Sequence, residues 1–431
     1  MTPFDHLAYL DAHASYERTG RIEHPSLDRI TVLVEALGDP HRCAPVVHVT
    51  GTNGKGSTSQ MISRLLMAMG LKVGLYTSPH LERVNERMCV DGEPISDDEL
   101  SEHVAAIARL EPLIGVRPSY FEICTAAAFS WFASVAVDAM VVEVGLLGRW
   151  DATNVVDATV SVITNIGLDH TELAGPTRAH IAREKAGIIT SHGVAVVGET
   201  DPELVEIFLA EGPASLLLRG EDFDAIGDQL ALGGRLVDLR SPTTIYPEVL
   251  IPMHGRHQAD NAAVALTAAE AFFAAPLPDD VVAEGFAAAV VPGRFEVLGH
   301  QPLVIIDGAH NPHGADACAS VFFEDFDPAG RRVLVVGCLR ERDPEEMLSA
   351  LRADEFDAVV CTPAPSPRTR NVDDLVRAAR GLGCADVRRE GSVEQACDIA
   401  LAQAGAEDAV LVTGSLYVVG AARSHLRRVL P

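Results

Sequence analysis

The sequence predicts an α/β protein in which helices cover both faces of mostly parallel sheets. Short runs rich in β-branched residues are followed by helical patterns, and this alternation occurs in both halves of the chain. Aromatic residues make up only 5% of the sequence while Ala and Val are abundant, which suits closely packed helices and strands. Because the ligands of such sheets gather at the carboxyl ends of the strands, we expect a site at that edge.

The first half of the chain contains the longer series of predicted strands. Its β-branched runs are Val46–Thr50, Lys72–Thr77, Ala139–Val144, Thr159–Thr164 and Val194–Gly198. The segment Ser57–Met69 carries apolar residues at helical spacing and is predicted to be a helix. Residues 214–250 contain short alternating pieces, such as Gly234–Leu239, and are expected to form a small antiparallel appendage.

A second series of strands begins after the segment Val291–Arg294. Its runs are Leu303–Asp307, Val333–Val336, Ala358–Cys361 and Ala409–Thr413. At roughly 100 to 200 residues per domain, the chain has room for two or three domains. We place the main boundary near residues 292–300, which gives domains of residues 1–293 and 294–431. A nucleotide bound between the two domains is then expected.

Charge and hydrophobicity narrow the classes of function. The net charge is −27, from 34 basic and 61 acidic residues, which disfavours nucleic acid and anionic membranes as partners. The acidity indicates either a solubility feature or an adaptation to salty surroundings.

The sequence has no apolar run of about 18 residues or more, so no membrane span is expected. The N-terminus lacks the basic start and apolar stretch of a signal peptide, so we expect a cytoplasmic protein. The eight cysteines include no C-x-x-C pair, which predicts reduced, mostly buried thiols.

A glycine-rich loop lies between the first predicted strand and the first predicted helix. Its residues are Gly51, Thr52, Asn53, Gly54, Lys55, Gly56, Ser57 and Thr58. Glycines let backbone N–H groups point at phosphate oxygens, and the helix N-terminus adds partial positive charge. Lys55 is then placed to reach the β- and γ-phosphates of ATP, and the Ser57 hydroxyl to bind Mg²⁺. The strict pattern G-x-x-x-x-G-K-[ST] is not met, because Gly56 follows Lys55. The alternative is a glycine turn that binds nothing.

Several further segments occur in an order that is typical of one family. Besides TGTNGKGS at 50–57, they are YTSPHL (76–81), VEVGLLGRWDATN (142–154), ITNIGLDHTELAG (163–175), IAREKAGI (181–188), PGRFE (292–296), DGAHNP (307–312) and TGSLYVVG (413–420). Together they resemble the folylpolyglutamate synthase and dihydrofolate synthase family of the Mur ligase superfamily. The resemblance implies an N-terminal P-loop ATPase-like domain that binds ATP and folate. It also implies a smaller C-terminal Rossmann-like α/β domain for glutamate ligation, and a monomeric protein.

Carboxylate and imidazole side chains at strand ends suggest a metal site. Glu143 ends a predicted strand, where a carboxylate is either a functional group or a helix cap. The resemblance implies two Mg²⁺ ions, whose ligands correspond to Ser57, Ser78, Glu143 and His170. The alternative for His170 is a hydrogen-bonded loop histidine, and imidazole is a less usual ligand for so hard an ion.

Lys185 has two interpretations. From its sequence context it is a helix-end lysine that pairs with Glu184 or with the helix C-terminus, where Gly187 stops the helix. The resemblance implies instead a carbamylated lysine that acts as an anion beside the second metal. Carbamylation needs a neutral amine and hence a lowered pKa.

The second half of the chain offers further nucleotide and glutamate contacts. Asn261 resembles the family residue near the adenine, and its alternative is an ordinary polar residue in the first turn of a helix. Arg294 is placed to bind phosphate with its guanidinium group, which is always charged. Asp307 matches the residue that contacts ribose or phosphate. The resemblance implies that His310 acts at the incoming glutamate, as a catalytic residue with Lys55 and Lys185, and that Ser415 contacts it; loop capping is the alternative for both.

The acceptor substrate is expected to bind to the first domain. The resemblance implies contacts from Leu27, Pro79, His80, Ser119, Phe121 and Asp151. Phe121 is suited to stack on a pterin ring, or to pack in the core, and Asp151 to accept hydrogen bonds from pterin amino groups. The family pattern is GLGGR followed by Leu, Tyr or Phe. It is changed here, because Leu147 stands in place of the second glycine of that pattern and Trp150 follows Arg149.

These residues predict an ATP-dependent ligase that joins L-glutamate to a folate carboxylate. Transfer of the γ-phosphoryl group makes an acyl phosphate, which the glutamate amine then attacks, and such chemistry depends on positioning and charge neutralisation. The first interpretation is a bifunctional dihydrofolate synthase and folylpolyglutamate synthase, acting on dihydropteroate and reduced folates. The second is folylpolyglutamate synthase activity alone, or a related ligase with another carboxyl acceptor. The third is a non-catalytic nucleotide-binding protein.

Overall fold

A computed structural model describes residues 4–20 and 25–430. The chain forms two compact units. The first consists of Met1–Glu17, Arg21–Pro252 and Arg256–Val290, and the second of Arg18–Gly20, Met253–Gly255 and Val291–Pro431. Each unit contains its own sheet and its own apolar core within the described residues.

The first unit is built on an eight-stranded, mostly parallel sheet. Its strands are β1 (Val46–Thr50), β2 (Val73–Tyr76), β3 (Met88–Val90), β4 (Glu93–Pro94), β5 (Ala139–Glu143), β6 (Ala158–Ile163), β7 (Val194–Val197) and β8 (Ser215–Leu218). They lie in the order β4-β3-β2-β5-β1-β6-β7-β8, and only the pairs β2–β3 and β3–β4 are antiparallel. Strand β1 is therefore central, with β5 and β6 on either side, so their carboxyl ends meet at one edge.

Helices surround this sheet. They are α1 (His6–Asp11), α2 (Tyr16–Thr19), α3 (Asp28–Ala36), α4 (Lys55–Ala68), α5 (Asp97–Ile114), α6 (Tyr120–Ser134), α7 (Thr171–Ala174), α8 (Arg178–Ala186), α9 (Pro202–Leu209), α10 (His257–Phe273) and α11 (Asp279–Ala287). Short 3₁₀ turns cover Pro40–Arg42, Val84–Arg87 and Ala152–Val155. Helix α4 packs against α10 and α11. One apolar cluster includes residues of α3, α5 and α6, and another includes residues of α8, α9, β6 and β7.

A separate three-stranded antiparallel sheet follows in the first unit. It contains β9 (Asp224–Ala231), β10 (Gly234–Arg240) and β11 (Ile245–Ile251), with β10 in the middle. The predicted antiparallel appendage is thus present, but its predicted start at residue 214 is wrong. Strand β8 instead pairs in parallel with β7 and extends the large sheet.

The second unit holds a six-stranded sheet. Its strands are β12 (Glu296–His300), β13 (Leu303–Ile306), β14 (Arg332–Val336), β15 (Ala358–Cys361), β16 (Val387–Arg389) and β17 (Ala409–Thr413), in the order β12-β13-β17-β14-β15-β16. Only the β12–β13 pair is antiparallel. The helices are α12 (Pro312–Ser320), α13 (Pro344–Ala350), α14 (Val372–Gly381), α15 (Val393–Gln403) and α16 (Leu416–Val429). A π-helical turn covers Val321–Phe326 and a 3₁₀ turn Ala353–Glu355.

The predicted fold class is confirmed, and the predicted strands occur to within one residue at each end. The predicted start of the first long helix at Ser57 is wrong by one half-turn, because α4 begins at Lys55 after Gly54 in the left-handed conformation. All eight cysteines are free thiols, and six of them are buried. Within residues 4–20 and 25–430, no helix is long and apolar enough to cross a membrane.

Candidate functional site

The loop after β1 requires glycine at two positions. Gly51 has φ +154°, and a Cβ there would lie 1.8 Å from the Thr164 hydroxyl oxygen. Gly54 has φ +82°, and a Cβ there would lie 2.4 Å from Oδ1 of Asn261. Any side chain at either position would therefore collide with its neighbours. The predicted loop is thus a tightly fitted element between β1 and α4, and Asn261 of α10 lies directly against it.

The segment after β6 fixes the first half of this loop. The Thr164 hydroxyl and the Asn165 amide both donate to the carbonyl oxygen of Asn53, at 2.6 and 3.0 Å. The N–H groups of Thr52 and Asn53 donate to Asn165, to its backbone and side-chain oxygens respectively, each at 3.0 Å. These two N–H groups are therefore already used inside the protein.

The second half of the loop provides the N–H groups that suit an anion. The first bond of the helix runs from Thr58 N to Gly54 O, at 2.9 Å. The N–H groups at the start of a helix have no partner inside it, and they carry the positive end of the helix dipole. Here those are the groups of Lys55, Gly56 and Ser57, so a phosphate is best accommodated at this end of the loop.

Two lysines meet at the carbonyl oxygen of Gly51. The Lys55 ammonium donates to it at 3.2 Å and to the Thr52 carbonyl at 3.4 Å. The Lys185 ammonium donates to the same Gly51 oxygen at 2.7 Å. Lys55 lies in the first turn of α4 and Lys185 in the last turn of α8. Two amino groups thus lie beside the loop in a protein whose net charge is strongly negative.

Lys185 is buried, with 5% of its surface exposed. Burial, and next the nearby Lys55 charge, lower the pKa of its amine to about 7. Lys185 does lie at the end of α8, which Gly187 caps, but the hydrogen bond of its ammonium goes to the Gly51 carbonyl. Close packing explains the burial, because a Cβ added at Gly148 would lie 3.0 Å from Cα of Lys185. The lowered pKa leaves a substantial fraction of the amine neutral at physiological pH.

Glu143 and Ser78 meet at the carboxyl end of β5. Glu143 is buried, and its Oε2 accepts a hydrogen bond from the backbone N–H of Ser78 at 3.1 Å. The same carboxylate faces the start of α4, since a Cβ added at Gly56 would lie 3.7 and 3.8 Å from its two oxygens. Ser57 is buried in that first turn. Carboxylate and hydroxyl oxygens are donors that Mg²⁺ prefers, so this group of residues fits that ion.

His170 has other neighbours than Glu143 and Ser78. It precedes α7 with φ +51°, and its Nδ1 lies 3.1 Å from the hydroxyl of Tyr16. The carboxylates of Asp169 and Glu172 each lie 3.8 Å from one of its ring nitrogens. Within the described part of the chain, no group of three or more His, Cys, Asp or Glu side chains could hold a metal. A magnesium site built from one or two carboxylates, hydroxyls and phosphate oxygens does not need such a group.

The predicted acceptor contacts occupy varied positions in the first unit. Ser119 caps α6, since its hydroxyl accepts from Glu122 N at 3.2 Å. Phe121 is half-buried beside Tyr76, with ring centres 6.0 Å apart, and packs against Gly145. Leu27, also half-buried, packs against the same apolar cluster as Phe121. Stacking and core packing are thus both compatible with the half-buried position of Phe121.

Asp151 is buried and holds the loop after β5. Its Oδ2 accepts from Leu146 N at 2.8 Å, and its Oδ1 accepts from the backbone and hydroxyl of Thr153 at 3.0 and 2.5 Å. Burial raises the pKa of this carboxyl, against the lowering effect of those hydrogen bonds. Asp151 therefore shapes the loop that runs from Gly145 to Trp150, whatever else it contacts.

Leu147 adopts a conformation that favours glycine. Its φ is +62°, in the left-handed region. Its carbonyl oxygen accepts a hydrogen bond from the Thr50 hydroxyl at 2.6 Å, which ties this turn to the end of β1. Glycine, which the family pattern has at position 147, would adopt this backbone conformation without strain. Trp150, the other altered position, is half exposed.

Pro79 and His80 follow the end of β2. Pro79 is exposed and preceded by a cis peptide bond. The Nδ1 atom of His80 accepts a hydrogen bond from Nε of Arg87 at 2.9 Å. Burial, and next the Arg87 charge, lower the pKa of His80 to about 4. Arg87, whose side chain is completely buried, was not predicted from the sequence, because no local pattern distinguishes it from a surface arginine.

In the second unit, the remaining predicted residues lie around the end of β13. The Asp307 carboxylate accepts from the N–H groups of Phe295 and Ala309 at 2.9 and 2.8 Å. A Cβ added at Gly308 would lie 2.5 Å from Nη1 of Arg294. His310 Nδ1 lies 3.0 Å from the Gly308 carbonyl. This edge of the second sheet thus brings Arg294, Asp307 and His310 together.

Ser415 follows β17, the strand beside β13. It is buried, and its hydroxyl accepts from Tyr417 N at 3.3 Å at the start of α16. Ser415 therefore caps the N-terminus of α16, which is the alternative role expected for it from the sequence. A contact with glutamate would have to be made in addition to that cap.

Comparison with known proteins gives two domain matches and close relatives. Residues 119–269 match the Mur ligase middle domain, and residues 293–416 match the Mur ligase glutamate ligase domain. The chain is 40% identical to the dihydrofolate synthase/folylpolyglutamate synthase of Mycobacterium tuberculosis, over 94% of this chain and 90% of that protein. The chain belongs to the dihydrofolate synthase/folylpolyglutamate synthase family. The predicted family is confirmed, and with it the assignment as an ATP-dependent ligase.

Solved structures of this family share the fold. The Mycobacterium tuberculosis folylpolyglutamate synthase complexed with ADP superposes with a TM-score of 0.91 at 39% identity, over 99% of this chain and all of that one. A bifunctional folylpolyglutamate synthase/dihydrofolate synthase with Mn, AMPPNP and L-glutamate bound gives a TM-score of 0.84 at 33% identity, over 97% of each chain. The family therefore uses a nucleotide and a divalent metal on this fold.

Proposed function

We propose that this chain adds L-glutamate to the carboxylate of dihydropteroate and to the glutamyl carboxylate of reduced folates, with ATP converted to ADP and phosphate. The observation that carries the proposal is the convergence of Lys55 and Lys185 on the Gly51 carbonyl, at 3.2 and 2.7 Å. It places two amines at the phosphate loop of a protein from this ligase family. The names of the relatives support both reactions.

The chemistry follows two steps. An oxygen of the acceptor carboxylate attacks the γ-phosphorus of ATP, the bond to the β-phosphate oxygen breaks, and ADP leaves. The neutral amine of glutamate then attacks the acyl carbon, phosphate leaves with the former carboxylate oxygen, and the amine loses a proton. Lys55 and the N–H groups of Lys55, Gly56 and Ser57 neutralise phosphate charge, which is the main requirement of phosphoryl transfer.

The metal in this proposal is Mg²⁺, at two sites. Ser57, Ser78, Glu143 and His170 would hold it, and the manganese-bound relative supports the use of a divalent ion. When bound, Mg²⁺ supplies charge neutralisation at the phosphates. The buried Glu143 carboxylate and the Ser57 hydroxyl provide the hard oxygen donors beside the loop.

We further propose that Lys185 is carbamylated. Its neutral amine would add to CO₂ and lose a proton, which gives an anionic carbamate. The lowered pKa of about 7 supports this step, since it provides the neutral amine at physiological pH. The chain contains only three lysines, Lys55, Lys72 and Lys185. Mass spectrometry under gentle conditions, compared between the wild type and Lys185→Met, tests it; a 44 Da adduct retained in the variant would contradict it.

The remaining contacts are assigned as the family resemblance implies. Residues 51–58, Asn261, Arg294 and Asp307 are assigned to ATP. His310 and Ser415 serve the incoming glutamate, and the acceptor contacts are Leu27, Pro79, His80, Ser119, Phe121 and Asp151. The shared end of β13 supports grouping Arg294, Asp307 and His310. We also propose that the protein acts as a cytoplasmic monomer with two domains, residues 1–293 and 294–431.

One assay separates the possible acceptors. ADP release is measured with L-glutamate and, in turn, dihydropteroate, tetrahydrofolate and an unrelated carboxylate. The proposal predicts turnover with both of the first two and none with the third. Turnover with tetrahydrofolate alone would mean folylpolyglutamate synthase activity only. Absence of turnover with every folate compound would contradict the proposed function.

A further inference from the structure

A buried arginine connects three parts of the first unit near the predicted acceptor contacts. The side chain of Arg87 is 0% exposed. Its Nη2 donates to Oε2 of Glu17 at 2.6 Å, and its Nε donates to Nδ1 of His80 at 2.9 Å. Its guanidinium carbon lies 5.4 Å from the ring centre of Tyr120, the first residue of α6. A buried charge requires such partners, because transfer from water to a low-dielectric interior is costly.

The hydrogen bond to Arg87 determines which nitrogen of His80 carries the proton. A guanidinium group has only donors, so the ring nitrogen that faces it must accept. Nδ1 of His80 is therefore unprotonated, and the ring proton lies on Nε2. His80 then offers one N–H donor, directed away from Arg87. An acceptor contact made by His80 is consequently a hydrogen bond donated from Nε2.

The backbone of Arg87 holds the same loop from its other end. Its carbonyl oxygen accepts a hydrogen bond from Thr77 N at 2.9 Å. The segment between Thr77 and His80 contains Ser78, whose N–H donates to Glu143. Arg87 thus contacts both ends of a four-residue segment that carries three predicted site residues, Ser78, Pro79 and His80.

We propose that Arg87 is a positioning residue that holds His80 as a fixed Nε2–H donor for an oxygen or ring nitrogen of the folate substrate. Glu17 balances the arginine charge and keeps the guanidinium in place. The proposal deepens the proposed function and rests on it for the identity of the substrate. The tautomer of His80 does not rest on it, and it can be measured without turnover.

The first test measures the proton position directly. The whole chain is labelled with ¹⁵N-histidine, and the His80 ring signals are assigned by their loss in His80→Gln. The expected result is a proton on Nε2 and an unprotonated Nδ1. A proton on Nδ1, or on both nitrogens, would overturn the proposal. Arg87→Met should allow a measurable population of His80 rings that carry a proton on Nδ1, and Arg87→Met combined with Glu17→Gln gives the same comparison without an unpaired buried carboxylate.

The second test compares two replacements of His80 in the active enzyme. Gln can place an N–H donor near the position of Nε2, whereas Asn can accept from Arg87 but does not reach that position. We expect kcat/KM for the folate substrate to be roughly tenfold lower in His80→Asn than in His80→Gln, the effect of one hydrogen bond. The KM for ATP should be equal in both. Equal losses for the folate substrate would contradict donation from Nε2. A wild type without folate turnover would instead reject the proposed function, and the tautomer measurement would still decide the role of Arg87.

Discussion

Lys55 and Lys185 donate hydrogen bonds to one acceptor, the carbonyl oxygen of Gly51, although 130 residues separate them in the chain. Their ammonium groups are thereby held close together. Burial is the main cause that lowers the pKa of Lys185, and repulsion from the Lys55 charge is the second. The result is one lysine suited to bind phosphate and a second suited to react as a neutral amine.

Lys55→Ala should reduce turnover by roughly 100-fold to 1000-fold, the usual effect of losing one donor to a developing charge. The fold should remain intact, because the Lys55 side chain donates to two loop carbonyls at 3.2 and 3.4 Å and not to the core. Lys72→Ala is the matched control, since Lys72 donates to Val135 O, remote from the loop in sequence. ADP release and thermal unfolding are measured for both. Comparable activity in the two variants would mean that the loop lysine does not act on ATP.

Lys185→Met should be more stable than the wild type near neutral pH, and this advantage should shrink as the pH rises. The native pKa is about 7 while the ordinary value is 10.5. Between these values the unfolded chain holds a proton that the native chain lacks, so wild-type stability rises with pH in that window. Below pH 7 both states are protonated, and the full cost of burying the ammonium is present.

Urea unfolding of both proteins at about pH 6.5, 8 and 9.5 in CO₂-depleted buffer measures this difference in stability. We expect an advantage of at least about 1 kcal/mol for Lys185→Met at the lowest pH. A constant difference at all three values would show that Lys185 keeps its ordinary pKa. Repeating the series with bicarbonate then shows whether carbamylation removes the cost.

Glu143→Gln should raise the Mg²⁺ concentration needed for half-maximal turnover by about tenfold or more, with partial recovery at high Mg²⁺. The amide keeps the size of the side chain and can still accept from Ser78 N, so the local structure should persist. Glu203→Gln, in the exposed first turn of α9, controls for loss of one acidic charge. A metal dependence equal to that of the control would remove Glu143 from the metal site.

The sequence predicted the elements that local patterns determine. β-branched runs predicted the central strands, and the glycine loop predicted that a helix follows β1, although α4 begins at Lys55 and not at Ser57. These signals depend on residues near one another in the sequence. The position of β8 was missed, since a short alternating run is compatible with either sheet. Strand β8 belongs to the large sheet because it pairs with β7, and that pairing is a tertiary contact that the local sequence does not show.

Residues whose roles depend on distant partners were harder to predict. Lys185 is a helix-end lysine by sequence, but its partner Gly51 lies 134 residues away. Only the family resemblance suggested its special position. Arg87 had no signal at all, because its burial depends on Glu17 and His80, which come from separate segments.

Leu147→Gly should be more stable than Leu147→Ala by about 1 kcal/mol, the reverse of the usual order of these residues. Both replacements remove the same side-chain packing, so the comparison isolates the backbone. The φ of +62° favours glycine, whereas alanine retains the strain of the left-handed region. Chemical unfolding of the two variants measures the difference. Greater stability of the alanine variant would mean that this turn is not left-handed in solution.

The transfer of an oxygen atom from the acceptor to phosphate tests the ligase mechanism most directly. Dihydropteroate labelled with ¹⁸O in its carboxylate is incubated with the enzyme, ATP and L-glutamate, and the inorganic phosphate is analysed by mass spectrometry. An acyl phosphate formed at the loop from Gly51 to Ser57 predicts one ¹⁸O atom in each phosphate released, together with ADP. Unlabelled phosphate alongside amide product, or AMP in place of ADP, would contradict activation of the carboxylate by γ-phosphoryl transfer.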